Sequence, residues 1–467
     1  MSIKKQHIHL IGIGGSGMTA LANLLLKKGY YVSGSDKKDF SAKKKLEQKG
    51  IKIFIGHQIE NIQKPKIVVY SSAIPKNNIE LLQAKKKKIP VFNRFDYLIK
   101  LLNDKKIISI AGSHGKSTTV AMTAYILKKQ GLKPTVYLGA KTKDYSLGSE
   151  WTNGEYAIIE TDEHDKSFLK TPSYLPLITN VDNDHLFAQG PYKTNFSLLK
   201  KAFQIFAEQS LSGFIVLNND DEFLKTLCKK TKKQITSFGI NKKSDLSAKN
   251  IQYLKNKSTA DLYFQGKFQG KLSLDNPGKE NIYNALGAIL IAKIIGIPFK
   301  DSLKHIKTFS GAERRFSVVY NQKITIIDDY AHHPTEIKSL LRMAHQVFDK
   351  RRIILILEPH RYSRISFLYK EYALAVKNCN VLFLLPIDPA NEKPIKGIDE
   401  KIIYEQILKQ KTLKKTQVHL NNDSSELFKN LYGILKEDDV IIFTGPGKIA
   451  NLPYQFINFL KKNEKQL

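Results

Sequence analysis

Short apolar runs alternate with longer segments of helical periodicity along most of this chain. The first run, residues 7–13, leads into a glycine-rich loop and then into an apolar-faced segment that ends at Gly29. Similar runs recur in the middle of the chain as KIISIAG, YAIIE and PLITNV, and later as ITIIDDY, RRIILILEPH and DVIIFTG. Strands that alternate with helices form parallel sheets with helices on both faces. The pattern therefore predicts an α/β protein.

Three of the apolar runs open a new series of strand, loop and helix, and 467 residues are too many for one compact core. We therefore predict three domains. Their boundaries are expected near residues 104 and 312, which divides the chain into 1–104, 105–312 and 313–467.

The charge balance is strongly basic, with 75 Lys and Arg against 43 Asp and Glu and a formal net charge of +32. Lysine is spread along the whole chain, and no basic cluster is interleaved with aromatic residues, so we expect no nucleic-acid partner. A field of this sign favours anionic substrates such as nucleotides.

No apolar run approaches the roughly 20 residues that cross a bilayer, and the first residues lack the pattern of a signal peptide. The two cysteines, Cys228 and Cys379, lie far apart and are interpreted as reduced thiols. We expect a cytoplasmic protein without membrane insertion, either a monomer or a dimer.

The first strand is followed by GIGGSG at residues 12–17, which matches G-x-G-x-x-G between a strand and a helix. Glycines allow a tight turn and a close approach of the backbone, so a pyrophosphate can lie on the helix N-terminus. Asp36 follows at the end of the next strand, where an acid that binds ribose belongs. This loop predicts a nucleotide site and, taken alone, a nicotinamide-dependent dehydrogenase.

A second glycine loop, IAGSHGKS at residues 110–117, follows an apolar strand and begins a helix. Its backbone N–H groups can surround an anion, Lys116 can neutralise the β- and γ-phosphates of a nucleotide, and the Ser117 hydroxyl can bind Mg²⁺. The segment departs from G-x-x-x-x-G-K-[ST] because Ile110 occupies the first glycine position. We interpret it as a phosphate loop.

Candidate ligands for Mg²⁺, which prefers hard oxygen donors, follow the phosphate loop. Glu160 lies at the carboxyl end of the strand YAIIE and opens an acid-rich segment, residues 160–165. His185 ends another predicted strand. A lone histidine is more often structural than a ligand, and only its place downstream of the phosphate loop favours His185 as a candidate.

The third region carries two polar segments at the ends of successive predicted strands, DDYAHHP at 328–334 and EPHRYSR at 358–364. Both lie where doubly wound sheets bind ligands, outside the carboxyl ends of the strands. Arg361 and Arg364 are three residues apart, so they can face the same way on a helical turn and hold a carboxylate or a phosphate. A solvated surface pair is the alternative interpretation.

These loops predict the fold of each region. We expect a Rossmann-like N-terminal domain, a central domain like that of phosphate-loop ATPases with a mixed sheet, and a C-terminal domain that is doubly wound and Rossmann-like. The ligands are expected to lie between the domains.

The segments GIGGSGM, GSHGKST, EN-x-x-NA, RRF, DDYAHHPTE and PHRYSR, in this order, resemble the Mur ligase family along nearly the whole chain. Six segments in the correct order arise by chance far less readily than any one of them. The resemblance is greatest to the member that adds L-alanine. It implies ATP-dependent ligation of L-alanine to the lactyl carboxylate of UDP-N-acetylmuramate in peptidoglycan precursor synthesis, with ATP and Mg²⁺ as cofactors.

The mechanism implied by the resemblance has two steps. The lactyl carboxylate attacks the γ-phosphate of ATP to form an acyl phosphate, and the amine of L-alanine then attacks the acyl carbon and releases phosphate. Because two anions meet in the first step, neutralisation by cationic side chains and Mg²⁺ dominates the catalysis.

The resemblance also implies a role for individual residues. Those near the reacting groups are Lys116, Tyr330, His332, Arg361 and Arg364. Those on the ATP side are Gly112, Ser113, His114, Gly115, Lys116, Ser117, Thr118, Asn281, Asn284, Arg314, Arg315 and Asp329. Those on the UDP-sugar side are Gly14, Gly15, Ser16, Gly17, Met18, Ser35, Ser71 and Arg94. Those at Mg²⁺ are Ser117, Glu160 and His185.

The chain departs from the family pattern at several positions: Thr161 and His164 vary the acidic segment, and residues 445–447 vary a glycine turn. Two further departures lie directly before quoted motif residues. Glu280 stands where histidine commonly precedes Asn281, and Glu358 stands where glutamine commonly precedes Pro-His-Arg. The nearest alternative within the family is the recycling ligase that attaches a whole peptide to UDP-N-acetylmuramate. Its first glycine loop differs from GIGGSGM, which favours the L-alanine-adding member. A dehydrogenase, the alternative from another class, leaves GSHGKS and the later domains without a purpose.

Overall fold

The computed structural model describes residues 6–139, 142, 144–163, 166–182, 192, 195–227, 231–241, 243–254, 257–275, 277–309, 311, 314, 316–390, 392–410, 416–421 and 423–463. Two of the predicted site residues, His185 and Arg315, lie outside these ranges.

The N-terminal domain contains one parallel sheet. Its strands are β1 (His7–Ile11), β2 (Tyr31–Asp36), β3 (Lys52–Ile55), β4 (Ile67–Tyr70) and β5 (Val91–Asn93). Its helices are α1 (Ser16–Lys28), α2 (Lys43–Gln48), α3 (Ile79–Lys86) and α4 (Arg94–Leu101), with a 3₁₀ turn at Ile59–Asn61. The strand order β3-β2-β1-β4-β5 is that of a Rossmann fold. Gly29 ends α1 as predicted, with a φ of 99° that suits glycine.

The central domain contains a mixed sheet, as predicted. Its strands are β6 (Lys106–Ala111), β7 (Thr135–Tyr137), β8 (Ser149–Glu150), β9 (Tyr156–Glu160), β10 (Leu175–Ile178), β11 (Phe214–Asn218), β12 (Gln234–Gly239), β13 (Leu246–Leu254), β14 (Lys257–Phe264) and β15 (Lys267–Leu274). The order is β15-β14-β13-β12-β11-β10-β6-β9-β7-β8. The pairs β7–β8, β13–β14 and β14–β15 are antiparallel, and the other pairs are parallel. The helices are α5 (Lys116–Lys129), α6 (Phe196–Glu208), α7 (Glu222–Leu227), α8 (Lys279–Ile294) and α9 (Phe299–Ile306), with a 3₁₀ turn at Ser167–Lys170.

The C-terminal domain is doubly wound around six strands. These are β16 (Ser317–Asn321), β17 (Thr325–Asp329), β18 (Ile353–Leu357), β19 (Val381–Leu384), β20 (Gln417–Leu420) and β21 (Val440–Thr444), in the order β16-β17-β21-β18-β19-β20. Among the strands that the structure describes in this sheet, only β16, at the edge, is antiparallel to its neighbour. The helices are α10 (Pro334–Phe348), α11 (Tyr362–Ala375), α12 (Lys401–Lys409), α13 (Ser424–Ile434) and α14 (Leu452–Asn463), with 3₁₀ turns at Val376–Asn378 and Lys448–Asn451.

Helices cover both faces of this last sheet, and every residue of β17, β18 and β21 is buried. A strand buried on both faces needs apolar residues at nearly every position, which explains the runs IILIL and VIIFT. Polar side chains collect where the strands end, so the candidate ligand-binding groups lie at the carboxyl edge.

Each sheet falls within one predicted domain, since the strands span residues 7–93, 106–274 and 317–444. The boundaries near 104 and 312 themselves stay a prediction. Among the helices that the structure describes, none combines the length and the apolar character needed to cross a membrane.

Candidate active site

The phosphate loop joins β6 to α5 and needs two glycines with positive φ. Gly112 has a φ of 135° and Gly115 a φ of 81°. A Cβ on Gly112 would collide with Thr179 Oγ1, and one on Gly115 would collide with Asn284 Oδ1. Ile110, which replaces the first glycine of the usual motif, is a fully buried residue of β6. The departure from the motif therefore lies in the strand and leaves the turn of the predicted anion site intact.

Lys116 begins α5, and its ammonium group lies inside the loop. Nζ donates to the carbonyl of Gly112 at 2.6 Å and to the buried carboxylate of Glu163 at 3.2 Å. Burial alone would lower the pKa of Lys116, but the charges of Glu163, Asp162 and Glu160 raise it above its ordinary value. The ammonium group is therefore held charged beside the loop. The sequence signal for Glu163 was the acid-rich segment, which did not identify this residue as the partner of Lys116.

Two of the predicted metal ligands lie in contact. The Ser117 hydroxyl donates to Glu160 Oε2 at 2.7 Å, and the N–H of Gly139 donates to the same oxygen at 2.9 Å. A hydroxyl and a carboxylate beside a phosphate loop are hard oxygen donors that fit a Mg²⁺ ion. His185, the third predicted ligand, lies outside the described residues.

His114 of the phosphate loop faces the C-terminal domain. Its Nε2 lies 3.2 Å from Asp182 Oδ2, and its Nδ1 lies 3.6 Å from Glu336 Oε1 in the first turn of α10. Thr335, also in that turn, donates its hydroxyl to Asp182 Oδ2 at 2.8 Å. His114, Asp182 and His333 each offer a nitrogen or oxygen ligand, all within 4.8 Å of one another. The loop is therefore closed against the C-terminal domain by polar contacts.

A cavity of about 380 Å³ opens beside this contact, between the central and C-terminal domains. Its lining includes the predicted residues His114, Gly115, Thr118, Asn281, Asn284 and Asp329. It also includes residues that the sequence analysis missed, among them Asp220, Tyr283, Phe316, Leu340 and Met343. No motif marks the apolar members of this set, because the fold brings them together from separate elements.

Asn281 and Asn284 lie on one face of α8 and line the cavity. The Asn281 amide donates to the Pro277 carbonyl at 3.0 Å, and Asn284 Oδ1 accepts from the Thr119 hydroxyl at 3.1 Å. These contacts fix both amides at the wall, where polar groups orient a ligand between apolar surfaces.

Asp329 contributes to the same cavity from the end of β17. Its carboxylate accepts from the N–H groups of Phe316 at 2.6 Å and Ala331 at 2.7 Å. The side chain is 5% exposed, so its orientation is set by the backbone around it.

Four polar side chains meet at the carboxyl edge of the C-terminal sheet. The ring of His332 packs edge-on against Tyr330, with centroids 5.5 Å apart, and against His360, with centroids 5.2 Å apart. Arg364 Nη1 lies 3.2 Å from His360 Nδ1. The structure thus brings together three of the residues predicted near the reacting groups and adds His360, which belongs to the quoted PHRYSR segment but was not singled out.

Arg361 precedes α11 with a φ of 70°, which a residue other than glycine rarely adopts. Its N–H donates to the Asp388 carbonyl at 2.8 Å, which holds this conformation. Strained backbone of this kind concentrates at functional sites.

Arg314 lies against the end of its own sheet. Its guanidinium donates Nε to Asp328 at 2.9 Å and Nη2 to the carbonyls of Asp329 at 3.2 Å and Gly445 at 2.6 Å. These bonds tie β17 to the loop after β21. The predicted phosphate contact of Arg314 stays a prediction, and Arg315 lies outside the described residues.

The glycine loop of the N-terminal domain is held by Asp36, whose Oδ2 accepts from the N–H of Gly14 at 2.8 Å. The predicted residues Gly15, Ser16 and Gly17 follow at the start of α1, and Ser71 lies against Gly12.

Arg94 reaches the loop from α4 and donates to the Tyr137 hydroxyl at 2.9 Å. That hydroxyl donates to the Gly17 carbonyl at 3.0 Å, which joins the loop to the central domain. The other two predicted residues are buried: Met18 is 1% exposed in the domain core, and Ser35 is fully buried. The Met18 side chain therefore packs against the core and leaves only its backbone near the loop.

Family models match all three parts of the chain. The Mur ligase catalytic domain matches residues 7–106, the Mur ligase middle domain matches 110–292, and the Mur ligase glutamate ligase domain matches 314–447.

Two curated relatives are similar over nearly the whole chain. A UDP-N-acetylmuramate–L-alanine ligase of Persephonella marina is 39% identical over 465 residues, which is 99% of both chains. The protein of the same name from Carboxydothermus hydrogenoformans is 38% identical, with 96% of both chains covered.

Solved structures share the fold. The crystal structure of UDP-N-acetylmuramate–alanine ligase from Thermotoga maritima matches with a TM-score of 0.82 at 28% identity, covering 98% of this chain and 99% of the other. A murein peptide ligase from Psychrobacter arcticus has the same fold, with a TM-score of 0.70 at 23% identity and coverage of 97% and 98%. With three matching domain models and relatives of this identity and coverage, the chain belongs to the Mur ligase family, as its sequence segments indicated.

Proposed function

We propose that this chain ligates L-alanine to the lactyl carboxylate of UDP-N-acetylmuramate, with conversion of ATP to ADP and phosphate. The relatives that are 38–39% identical over nearly their full length are UDP-N-acetylmuramate–L-alanine ligases, which supports this choice. A nicotinamide-dependent dehydrogenase, suggested by the first glycine loop alone, does not fit a member of a ligase family.

One relationship supports the reaction most directly. The carboxylate of Glu336 lies 3.6 Å from Nδ1 of His114 in the phosphate loop and accepts from the N–H of His332 at 3.0 Å. A single side chain thus connects the loop that would hold the triphosphate with the cluster that would meet the incoming carboxylate and amine. Transfer of a phosphoryl group needs this proximity, because donor and acceptor must be held in line.

In the first step, the lactyl carboxylate oxygen bonds to the γ-phosphorus, and the bond from that phosphorus to the bridging oxygen of ADP breaks. Lys116, held charged in the loop, neutralises the phosphate oxygens. Ser117 and Glu160 would hold Mg²⁺, which when bound supplies further neutralisation of the phosphates.

In the second step, the alanine nitrogen bonds to the acyl carbon, the carbon–oxygen bond to phosphate breaks, and the nitrogen loses a proton to the departing phosphate or to solvent. We assign the histidine and arginine side chains around His332 and Arg364 to this centre, since hydrogen-bond donors and the fixed charge of the guanidinium stabilise the tetrahedral oxyanion and the leaving phosphate.

Several narrower predictions belong to this proposal. The nucleotide base of ATP would lie in the cavity lined by Asn281 and Asn284, and the ribose near Asp329. The UDP pyrophosphate would lie on residues 14–17 at the start of α1. The cytoplasmic location of the protein and its state as a monomer or a dimer remain predictions.

The test is phosphate release by the purified chain with ATP, Mg²⁺ and UDP-N-acetylmuramate, with each amine added in turn. We expect L-alanine to give the highest kcat/KM, above glycine, L-serine and the tripeptide L-alanyl-γ-D-glutamyl-meso-diaminopimelate. Preference for the tripeptide would instead identify the recycling ligase, and no phosphate release with any amine would overturn the proposal.

A further inference from the structure

Glu80 is a fully buried carboxylate at the start of α3, surrounded by donors from other elements. Its Oε2 accepts from the Ser35 hydroxyl at 2.5 Å and from His57 Nδ1 at 3.2 Å. Its Oε1 accepts from the Asn61 amide at 2.5 Å and from the N–H of Gln58 at 3.2 Å. One side chain therefore links the ends of β2 and β3 to α3.

Two histidines of β1 extend this network into the sheet. His9 Nε2 lies 3.8 Å from Glu80 Oε2, and His9 Nδ1 lies 2.8 Å from the Ser33 hydroxyl. His7 Nε2 reaches the same hydroxyl at 2.8 Å. Burial of a carboxylate is costly unless donors surround it, and this one has donors on both oxygens.

The network is attached to the glycine loop of the predicted UDP-sugar site. The Ser35 carbonyl accepts the N–H of Gly12 at 2.8 Å and that of Ile13 at 3.0 Å. The next residue, Asp36, accepts the N–H of Gly14 at 2.8 Å through its side chain. Movement of Ser35 would therefore move the loop on which a pyrophosphate would lie.

Glu80 also determines which nitrogen of the His57 ring carries the proton. His57 Nδ1 faces the Glu80 carboxylate at 3.2 Å and the Ser35 hydroxyl at 3.1 Å. The carboxylate accepts only and the hydroxyl already donates to it, so Nδ1 carries a proton and the neutral form of the ring offers Nε2 as an acceptor. The His57 side chain is 16% exposed, whereas that of Glu80 is completely buried. His57 thus lies between the buried carboxylate and the open carboxyl edge of the sheet.

We propose that Glu80 is a positioning residue of the UDP-sugar site, which acts through Ser35 and His57 without touching the ligand. The inference rests on the proposed function. This role would explain why a buried polar network is present in the N-terminal domain. The proposed phosphate-transfer chemistry lies in the other two domains and does not involve this network. Loss of the carboxylate would release the glycine loop and leave His57 free to turn or to exchange its tautomer.

The first test is Glu80→Gln in the full-length enzyme, compared with wild type and with Glu60→Gln. Glu60 lies in the same domain and is exposed, so Glu60→Gln removes the same negative charge but leaves the hydrogen bonds around Glu80 in place. We expect Glu80→Gln to raise KM for UDP-N-acetylmuramate about tenfold, while kcat and KM for ATP and L-alanine stay within about twofold, because an interaction lost equally from ground and transition state changes KM alone. Glu60→Gln should match wild type.

A second variant covers the case in which Glu80→Gln does not fold. His57→Asn keeps a donor near Nδ1 for Glu80 but removes Nε2, so it should leave Tm unchanged and still raise KM for UDP-N-acetylmuramate about tenfold. Unchanged KM in His57→Asn, or equal losses for all three substrates in Glu80→Gln, would overturn the inference. If UDP-N-acetylmuramate does not stimulate phosphate release by the wild-type enzyme, the proposed function itself is overturned.

Discussion

Nδ1 of His114 lies 3.6 Å from Oε1 of Glu336, across the boundary between the phosphate loop and the first turn of α10. The same helix start carries Thr335, whose hydroxyl donates to Asp182 of the central domain. Glu336 also accepts from the N–H groups of His332 and His333. The closed arrangement of the two domains therefore depends on a small set of polar contacts, and each can be tested.

Thr335→Ala should weaken this closure, because it removes the 2.8 Å hydrogen bond to Asp182 Oδ2. A hydrogen bond to a charged acceptor contributes about 1.5–3 kcal/mol, so KM for ATP should rise at least about tenfold. KM for ATP is measured by steady-state kinetics at saturating UDP-N-acetylmuramate. Thr335→Ser keeps the hydroxyl and should behave as wild type, and an unchanged KM in the alanine variant would show that the contact does not matter for closure.

Glu160→Gln should raise the Mg²⁺ concentration needed for half-maximal phosphate release. The carboxylate is held by the Ser117 hydroxyl and the Gly139 N–H, and its charge is what a hard cation requires. We expect a shift of about ten- to a hundredfold. Glu155→Gln, which changes an exposed acid just before the same strand, is the control, and an equal Mg²⁺ dependence in both variants would remove Glu160 from the metal site.

Lys116→Ala should reduce kcat by about a thousandfold or more, since it removes the cation beside the phosphates. It should also destabilise the fold by about 3–5 kcal/mol, because the buried carboxylate of Glu163 loses its partner. The double variant Lys116→Ala/Glu163→Gln should recover the free energy of unfolding but not the activity. Lys129→Ala, at the exposed end of the same helix, is the matched control. Activity recovered by the double variant would contradict the assigned role.

Gly115→Ala and Gly131→Ala form a pair that separates strain from function. The two glycines have φ values of 81° and 84°, so alanine costs about 1–2 kcal/mol at either position. A Cβ on Gly131 meets no atom within 4 Å, whereas one on Gly115 collides with Asn284 Oδ1 at the cavity wall. Isothermal titration with ATP should show affinity lowered at least about tenfold for Gly115→Ala and unchanged for Gly131→Ala. Equal affinities would exclude Asn284 from the nucleotide site.

Stability in acid should depend on Glu80. Burial alone would raise the pKa of this carboxyl, but His9, Ser35 and Asn61 lower it to about 2, against 4.5 for the free group. A depressed pKa contributes stability above the unfolded value, and that contribution, about 3 kcal/mol, is lost as the pH falls from about 5 towards 2. The free energies of unfolding of wild type and Glu80→Gln should therefore differ most near pH 6, approach each other through pH 3 and converge only at about pH 2. A constant difference across this range would mean that the pKa of Glu80 is the same in the folded and the unfolded protein.

Contiguous segments were the most predictable part of the site. The turn around Gly115, the start of α5 at Lys116 and the end of α1 at Gly29 depend on the conformations of neighbouring residues, and these follow from local sequence. The alternation of apolar runs likewise predicted three α/β domains, because a doubly covered strand needs apolar residues throughout.

Partnerships between distant residues were not predictable in the same way. Glu163 pairs with Lys116, Glu80 gathers donors around Ser35, and Arg314 binds Asp328 and the loop after β21. Each partner is one acid among many along the chain, and nothing in local composition distinguishes it. Met18 shows the reverse case, in which a residue inside a recognisable motif turns its side chain into the core.

The sequence by itself determined the family, the order of the domains and the glycine loops predicted to approach phosphate, because glycine geometry and apolar periodicity act over a few residues. Only the tertiary structure decided that Glu336 links His114 to His332 and that a cavity lined by Asn284 and Phe316 opens beside them. Such contacts join residues far apart in the chain, and their positions depend on how whole sheets and helices pack against each other.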